Sequence, residues 1–344
     1  MHIDLMTGGN TLHDMATMAR KVQELGFTGI TLTETGRTAY LAAAVAALEA
    51  PDLSLTTGIA VAFPRSPMIT AQIAWELAEA TRGNFLLGLG TQVKAHIERR
   101  FSSPFDPPGP RLRDYVKAVR ACFEAFAGRS KLDYKGEYYA MSLLPDAWAP
   151  GRMDHPDIPI YISAVGPWMT RMAGEVADGI HVHPFHSLRY LNEVLLPKVA
   201  EGAATADRSV DDVKLAVPVF TIVGDSPEEQ APWRDRARSQ IAFYGSTKNY
   251  AFQFDMLGFE GVSSKLNERL KAGDMAGMSE LITDEMLDVY AVTARWDELA
   301  DKLVDRYHGV ADRLIMYFAD PQMQRDPASA GRWGEVARAV RAAN

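Results

Sequence analysis

The chain has 344 residues, 47% of them hydrophobic and 23% charged, with a formal net charge of −8. Such an acidic surface has no basic surplus to neutralise phosphates, so whole-surface binding of nucleic acid is excluded, although a local basic pocket for a small anion is not. Its one cysteine, Cys122, rules out an internal disulfide framework and a Cys-based zinc cluster.

The apolar run Ala121-Cys122-Phe123 fits a buried, inert thiol. The opening residues Met1-His2-Ile3-Asp4 lack the basic region and apolar stretch of a secretory signal. No window approaches about 20 uninterrupted apolar residues, the length needed to span a bilayer. The expectation is a cytoplasmic protein with no membrane partner.

In chain order, short apolar runs alternate with amphipathic stretches, the pattern of βα units around a parallel sheet. Residues 2–7 predict a first strand. Thr11 then caps a helix in which Leu12, Met15, Ala19, Val22 and Leu25 recur at three- and four-residue steps, and Gly26 ends it. A second strand covers 29–34, followed by an Ala-rich helix over 39–50, and a third strand covers 53–60. Ser66-Pro67 opens the next helix, with Ile69, Ile73 and Leu77 as its apolar stripe and Gly83 as its stop. The fourth strand is 85–90 with a helix over 113–126, and the fifth is 158–164 with a helix over 168–177. The sixth is 179–183, the seventh 215–223, and the eighth 314–318 after a helix over 296–307. Eight such units closing on themselves make a (β/α)8 TIM barrel, and the count argues against an open doubly wound sheet.

Two stretches break the alternation. Residues 134–139 within 128–157 read as a hairpin before a Pro- and Trp-bearing loop. Residues 244–290 form a long insertion after the seventh strand. Excursions of this length serve as lids or binding loops. No repeat, low-complexity tract or linker interrupts the chain, so a single domain over 1–344 is expected.

In such a barrel the C-terminal strand ends build the active site. The most informative is 163–169, Ser-Ala-Val-Gly-Pro-Trp-Met, where a small turn feeds a helix whose first N–H groups have no internal partner. With the helix dipole they suit a phosphate of a nucleotide or flavin; the alternative is a plain strand-to-helix turn. Glu34 could accept hydrogen bonds from a cofactor or move a proton, or else cap the next helix or pair with Arg37. Gly58 marks a bulge, a close approach of another group, or tight barrel packing. His181 and His183 alternate on one strand and share a face. A metal would require further ligands at several strand ends, and only Glu34 and Asp320 are on offer, so no metal site is expected. His183 remains a candidate hydrogen-bonding histidine. Gly88-Leu89-Gly90 is an incomplete dinucleotide fingerprint, and no Walker A loop, Gly-x-Ser-x-Gly elbow or His-Glu-x-x-His is present.

The order and spacing of several stretches resemble the luciferase-like monooxygenase superfamily. They are 19–34 with Gly26-Phe27 ahead of the strand, 57–60 followed by Arg65-Ser66-Pro67, 84–91, 158–164, and 173–179. Residues 282–287 with Trp296 onward look like its actinobacterial branch, which uses the deazaflavin coenzyme F420. The resemblance implies a flavin-type ring in the barrel mouth, F420 or alternatively FMN, backed by a bulge with a non-prolyl cis peptide at Gly58–Ile59. It implies Glu34 beside the cofactor, Thr91 and Gln92 against the ring system or its side chain, and His96 as a further contact. It implies Val165, Gly166, Trp168 and Met169 as the phosphate turn. The implied activity is hydride transfer with a small organic substrate in a homodimer, with Glu34 and His183 as candidate catalytic residues.

This chain also departs from the family's sugar-phosphate dehydrogenases. Those carry a histidine after the strand-two carboxylate and a glutamate after strand four, where Thr35 and Val93 stand here, and His186 takes the place of a phosphate-gripping lysine. A sugar phosphate is therefore not the expected substrate. The competing functions are an FMN-dependent monooxygenase on the same barrel, a metal-dependent hydrolase using His181 and His183, and a cofactor-binding barrel without turnover.

Overall fold

A computed structural model describes residues 1–343. In it, parallel strands His2–Thr7 (β1), Gly29–Leu32 (β2), Ser54–Thr57 (β3), Phe85–Gly90 (β4), Ile160–Ser163 (β5), Gly179–His181 (β6), Lys214–Val223 (β7) and Arg313–Met316 (β8) pair in sequence, and β8 closes on β1. This is the eight-stranded barrel expected, with helices outside it. β3 stops at Thr57, the Gly58–Ile59 peptide is cis, and pairing with β4 resumes at Ala60–Val61.

The helix signals act locally as read. Thr11 accepts the Asp14 amide at 3.1 Å, and Gly26 closes that helix in the left-handed region at φ 90°. Ser66 accepts the Ile69 amide at 3.2 Å, with Pro67 in the first turn. The buried face of that helix differs from expectation. Leu77 is buried as expected, but Ile69 is exposed and Ile73 only half-buried, and Ala71, Ala74, Trp75 and Ala78 make up the rest of the core-facing side. Cys122 is buried, and burial pushes its thiol pKa up to about 12.

Alternation along paired strands fills the barrel with layers of inward side chains. At the N-terminal end, Arg313 Nη1 lies 2.6 Å from both oxygens of Asp4, and the pair is sealed from solvent. One layer up, the registers Met6↔Thr31, Thr31↔Thr56 and His181↔Ala216 place Thr31, Thr56 and His181 inside. Above these, Gly58 and Gly90 leave room at the ends of β3 and β4.

Both excursions have structure of their own. Tyr134–Lys135 pairs with Ala140–Met141, and the buried Asp114 carboxylate anchors the hairpin by accepting the Tyr138 and Tyr139 amides at 2.6 and 3.1 Å. Residues 244–290 are a set of short helices packed on Pro227–Gly245, rather than an open loop. Phe254, Leu266, Met278 and Leu287 form an apolar core there with Phe185, Phe220 and Phe318 from the barrel top. An unexpected strand, Ala291–Ala294, pairs with the upper part of β7 from Phe220 onward. β7 has 10 residues, more than its neighbours, and so offers a free edge. Among the described residues no helix is long and apolar enough to cross a membrane.

Candidate active site

Glu34 follows β2 and reaches across to the segment after the bulge. Its Oε2 accepts the Val61 amide at 2.7 Å and Arg65 Nη1 at 2.9 Å, and Arg65 Nη2 completes a two-pronged pair through Oε1. Arg65 also donates to the Val61 carbonyl at 2.9 Å and lies 5.0 Å over the Tyr40 ring. Such bidentate, charge-assisted contacts fix geometry as well as adding energy. Glu34 is paired with Arg65, not with Arg37, and it caps no helix. Sequence reasoning missed Arg65 as the partner, although a lone cation just past the third strand was the available signal.

The strand ends beside this brace meet closely. A Cβ on Gly90 would lie 2.6 Å from Ser163 Oγ and 2.7 Å from Ile59 Cδ1, and one on Gly58 only 2.2 Å from Thr31 Cγ2. The ends of β3, β4 and β5 therefore touch, with the Ile59 and Ser163 side chains packed in the space that glycine leaves at Gly90. Beneath, Thr31 Oγ1, Thr56 Oγ1 and His181 Nε2 are buried without hydrogen-bond partners among the described residues. Burial lowers the His181 pKa to about 4.

From Ser163 the chain enters the turn Ala164-Val165-Gly166 and the helix Pro167–Val176. Gly166 is the N-cap without a side-chain cap, and a Cβ there would meet nothing within 4 Å. Pro167 has no N–H, so the amides of Trp168 and Met169 are the first-turn donors left facing outward. The Tyr190 hydroxyl holds the Val165 carbonyl at 2.7 Å, and the Trp168 indole lies over Gly109. Since Ser163 touches the Gly90–Ile59 contact, this turn and the bulge open on one mouth.

Thr91 and Gln92 follow β4 directly into the same mouth. Gln92 sits at φ 57°, a left-handed conformation that costs a non-glycine residue energy and recurs at functional sites. His96, on the short helix Lys94–Arg99, is exposed and farther along the loop.

His183 stands on the inward face of the chain just past β6. Its Nδ1 accepts the Phe185 amide at 3.1 Å, and the rings of Tyr244 and Tyr250 each lie 4.6 Å from its own. Tyr244 and Tyr317 share a hydroxyl contact of 2.7 Å. Burial, reinforced by neighbouring His186, depresses the His183 pKa to about 3. His186 does not reach the phosphate turn. It is buried, with Nδ1 2.9 Å from the His183 carbonyl and Nε2 3.4 Å from the Tyr307 hydroxyl. Tyr244 and Tyr250 were not foreseen, since periodicity does not place side chains from an insertion, and Tyr317 was expected only as part of the eighth strand. Across the mouth, Asp320 accepts the Thr7 hydroxyl at 2.6 Å. Among the described residues no three His, Cys, Asp or Glu side chains converge as a metal ligand set.

Residues 1–313 match the family described as luciferase-like monooxygenase. The chain belongs to that family. It is 38% identical over 309 residues to an uncharacterized protein of Mycobacterium tuberculosis, covering 90% of this chain and 91% of that one. It is 26% identical over 297 residues, 85% of each chain, to the 5,10-methylenetetrahydromethanopterin reductase of Archaeoglobus fulgidus. The luciferase-like barrel also superposes on the coenzyme F420 dependent tetrahydromethanopterin reductase of Methanopyrus kandleri with a TM-score of 0.79, at 19% identity and 99% coverage of both chains.

Proposed function

We propose that this luciferase-like barrel holds the deazaflavin F420 at its C-terminal mouth and transfers hydride between it and a small organic substrate. The observation that carries this is the meeting of Ile59, Gly90 and Ser163, which sets the Gly166 helix start beside a floor made by the Gly58–Ile59 bulge and Gly90. A flat ring fits that floor, and a phosphate fits the uncapped amides of Trp168 and Met169. F420 is preferred over FMN because the named reductase relatives include an F420-dependent one.

When bound, the cofactor supplies the carbon that gives or takes hydride; the protein orients the reactants and excludes water. Gly58 and Ile59 back the ring, while Thr91, Gln92 and His96 flank the ring system and its side chain. Val165, Gly166, Trp168 and Met169 form the phosphate turn. Glu34 acts by holding the bulge: its oxygens already bind Arg65 and the Val61 amide, so moving a proton would mean breaking those bonds. His183 is left as the residue that meets the substrate. A homodimer is part of the proposal, and light scattering checks it.

Titration of the purified protein with F420 and with FMN, followed by absorbance and fluorescence, tests the assignment. Binding of F420 at micromolar concentration is the expected outcome. Binding of FMN alone moves the enzyme to the oxygen-using flavin monooxygenases, and binding of neither removes the proposal.

A further inference from the structure

We infer that His183 grips the substrate's oxygen as a neutral hydrogen-bond donor through Nε2–H, and that the substrate is an uncharged ketone or aldehyde, or the matching alcohol, with a flat apolar body. This rests on the hydride-transfer function proposed above and deepens it.

The tautomer follows from one contact. The Phe185 amide can only donate, so His183 Nδ1 must accept, and the single proton of the neutral ring sits on Nε2. A pKa near 3 keeps the ring neutral throughout the physiological range. His183 Nε2 has no hydrogen-bond partner among the described residues, yet it is not sealed like the partnerless Nε2 of His181. The two histidines share a face, and His181 pairs in register with Ser163 at the start of the phosphate turn. His183, one layer higher, therefore presents an open N–H toward the mouth.

The surroundings select the ligand. Tyr244 meets the imidazole edge-on at 81° and Tyr250 is tilted at 53°, so two uncharged aromatic walls border the donor. Tyr244 is held by Tyr317. His186 behind the ring donates its Nδ1–H to the His183 carbonyl and is likewise neutral, with burial holding its pKa down to about 4. A carboxylate or phosphate would find no cation in direct contact with His183. A carbonyl oxygen would find one donor and flat apolar walls.

A neutral imidazole in this position polarises a carbonyl without becoming an acid. A bound deazaflavin would supply the hydride that forms the C–H bond at the carbonyl carbon in the reductive direction, while His183 Nε2–H holds the oxygen. The C=O π pair would move onto oxygen, which would take its proton from bulk solvent at the mouth as the product leaves. Alcohol oxidation runs the same steps backwards onto the oxidised cofactor, and His183 is unchanged by either.

Two experiments test this. Long-range 1H–15N spectra of the cofactor-free protein between about pH 5 and 8 should find His183 neutral and protonated at Nε2 throughout; an imidazolium or an Nδ1–H form overturns the inference. F420-loaded protein is then assayed with acetophenone and cyclohexanone against benzoate and glucose 6-phosphate. The neutral ketones should be turned over, or at least shift the His183 Nε2–H resonance. His183→Phe should lower kcat/KM by about 100-fold with F420 affinity kept, as loss of one transition-state donor does. His183→Gln, which restores an N–H, should recover part of that loss, and circular dichroism confirms that both variants fold. Indifference to His183→Phe, preference for the anions, or no response to either ketone overturns the substrate class. Failure of the wild type to bind F420 instead strikes the hydride-transfer function, and the tautomer remains readable without it.

Discussion

Two carboxylate–arginine pairs stand at opposite ends of the barrel, and they do different work. Asp4–Arg313 lies in the N-terminal layer with side-chain exposures of 0% and 8%, and Asp4 also accepts a hydrogen bond from Thr28. Glu34–Arg65 lies at the C-terminal mouth at 7% and 20%, and it also grips both backbone groups of Val61. The lower pair closes the barrel by joining β1 to β8. The upper pair shapes a segment that a ligand would lie against. In TIM barrels the bottom serves stability and the top serves chemistry, and the two pairs sit on opposite sides of that line.

The largest effect should come from breaking the lower pair. Arg313→Met strands the Asp4 carboxylate in the interior, which costs roughly 3–5 kcal/mol of stability. Urea unfolding measures it, and the double change Asp4→Leu/Arg313→Met should recover most of the loss. A single variant within error of the wild type would mean that the pair does not hold the barrel shut.

Acid should expose the next contribution. His181, His183 and His186 have folded pKa values of about 4, 3 and 4, below the usual 6.5. Below pH 6.5 the unfolded chain binds protons that the folded chain refuses, so stability rises with pH. Their contribution is fully present above about pH 6.5 and is lost as pH falls toward 4, at up to about 1.4 kcal/mol per pH unit for each histidine. Denaturation at several pH values should show that slope, and His181→Asn should flatten it.

These comparisons also mark what the sequence could carry. The eight strands were legible because buried parallel strands are continuous apolar runs bounded by turn residues. Ala291–Ala294 was not, since four small residues after a helix give no period to detect. The eighth strand ends at Met316, earlier than expected, because apolar Tyr317 and Phe318 turn aside into the core of the helical cap. Gly58, Gly90 and Gly166 could be found as glycines at strand ends. The partner of Glu34 was missed, because sequence proximity favours Arg37 while the strand order brings Arg65.

Breaking the upper pair should separate function from stability. Glu34→Gln keeps an acceptor for the Val61 amide and leaves Arg65 partly hydrated, so the stability loss should be near 1 kcal/mol. F420 affinity should fall about tenfold, equivalent to ~1.4 kcal/mol, because the bulge loses its anchor. If stability falls as far as in Arg313→Met while binding is unchanged, the two pairs are alike and the contrast fails.

The smallest stability effect, and the sharpest functional one, belongs to Gly166. Its φ of −74° suits any residue, and an added Cβ meets nothing within 4 Å, so neither strain nor packing calls for glycine there. Gly166→Ala should leave stability within about 0.5 kcal/mol of the wild type, as for a surface change. A phosphate held by the Trp168 and Met169 amides would lie next to Gly166, and the new methyl should crowd it. F420 binding measured by fluorescence should therefore weaken while the melting curve stays put. Unchanged affinity would mean that the turn carries no phosphate, leaving the glycine at the fifth strand's exit without a ligand to explain it.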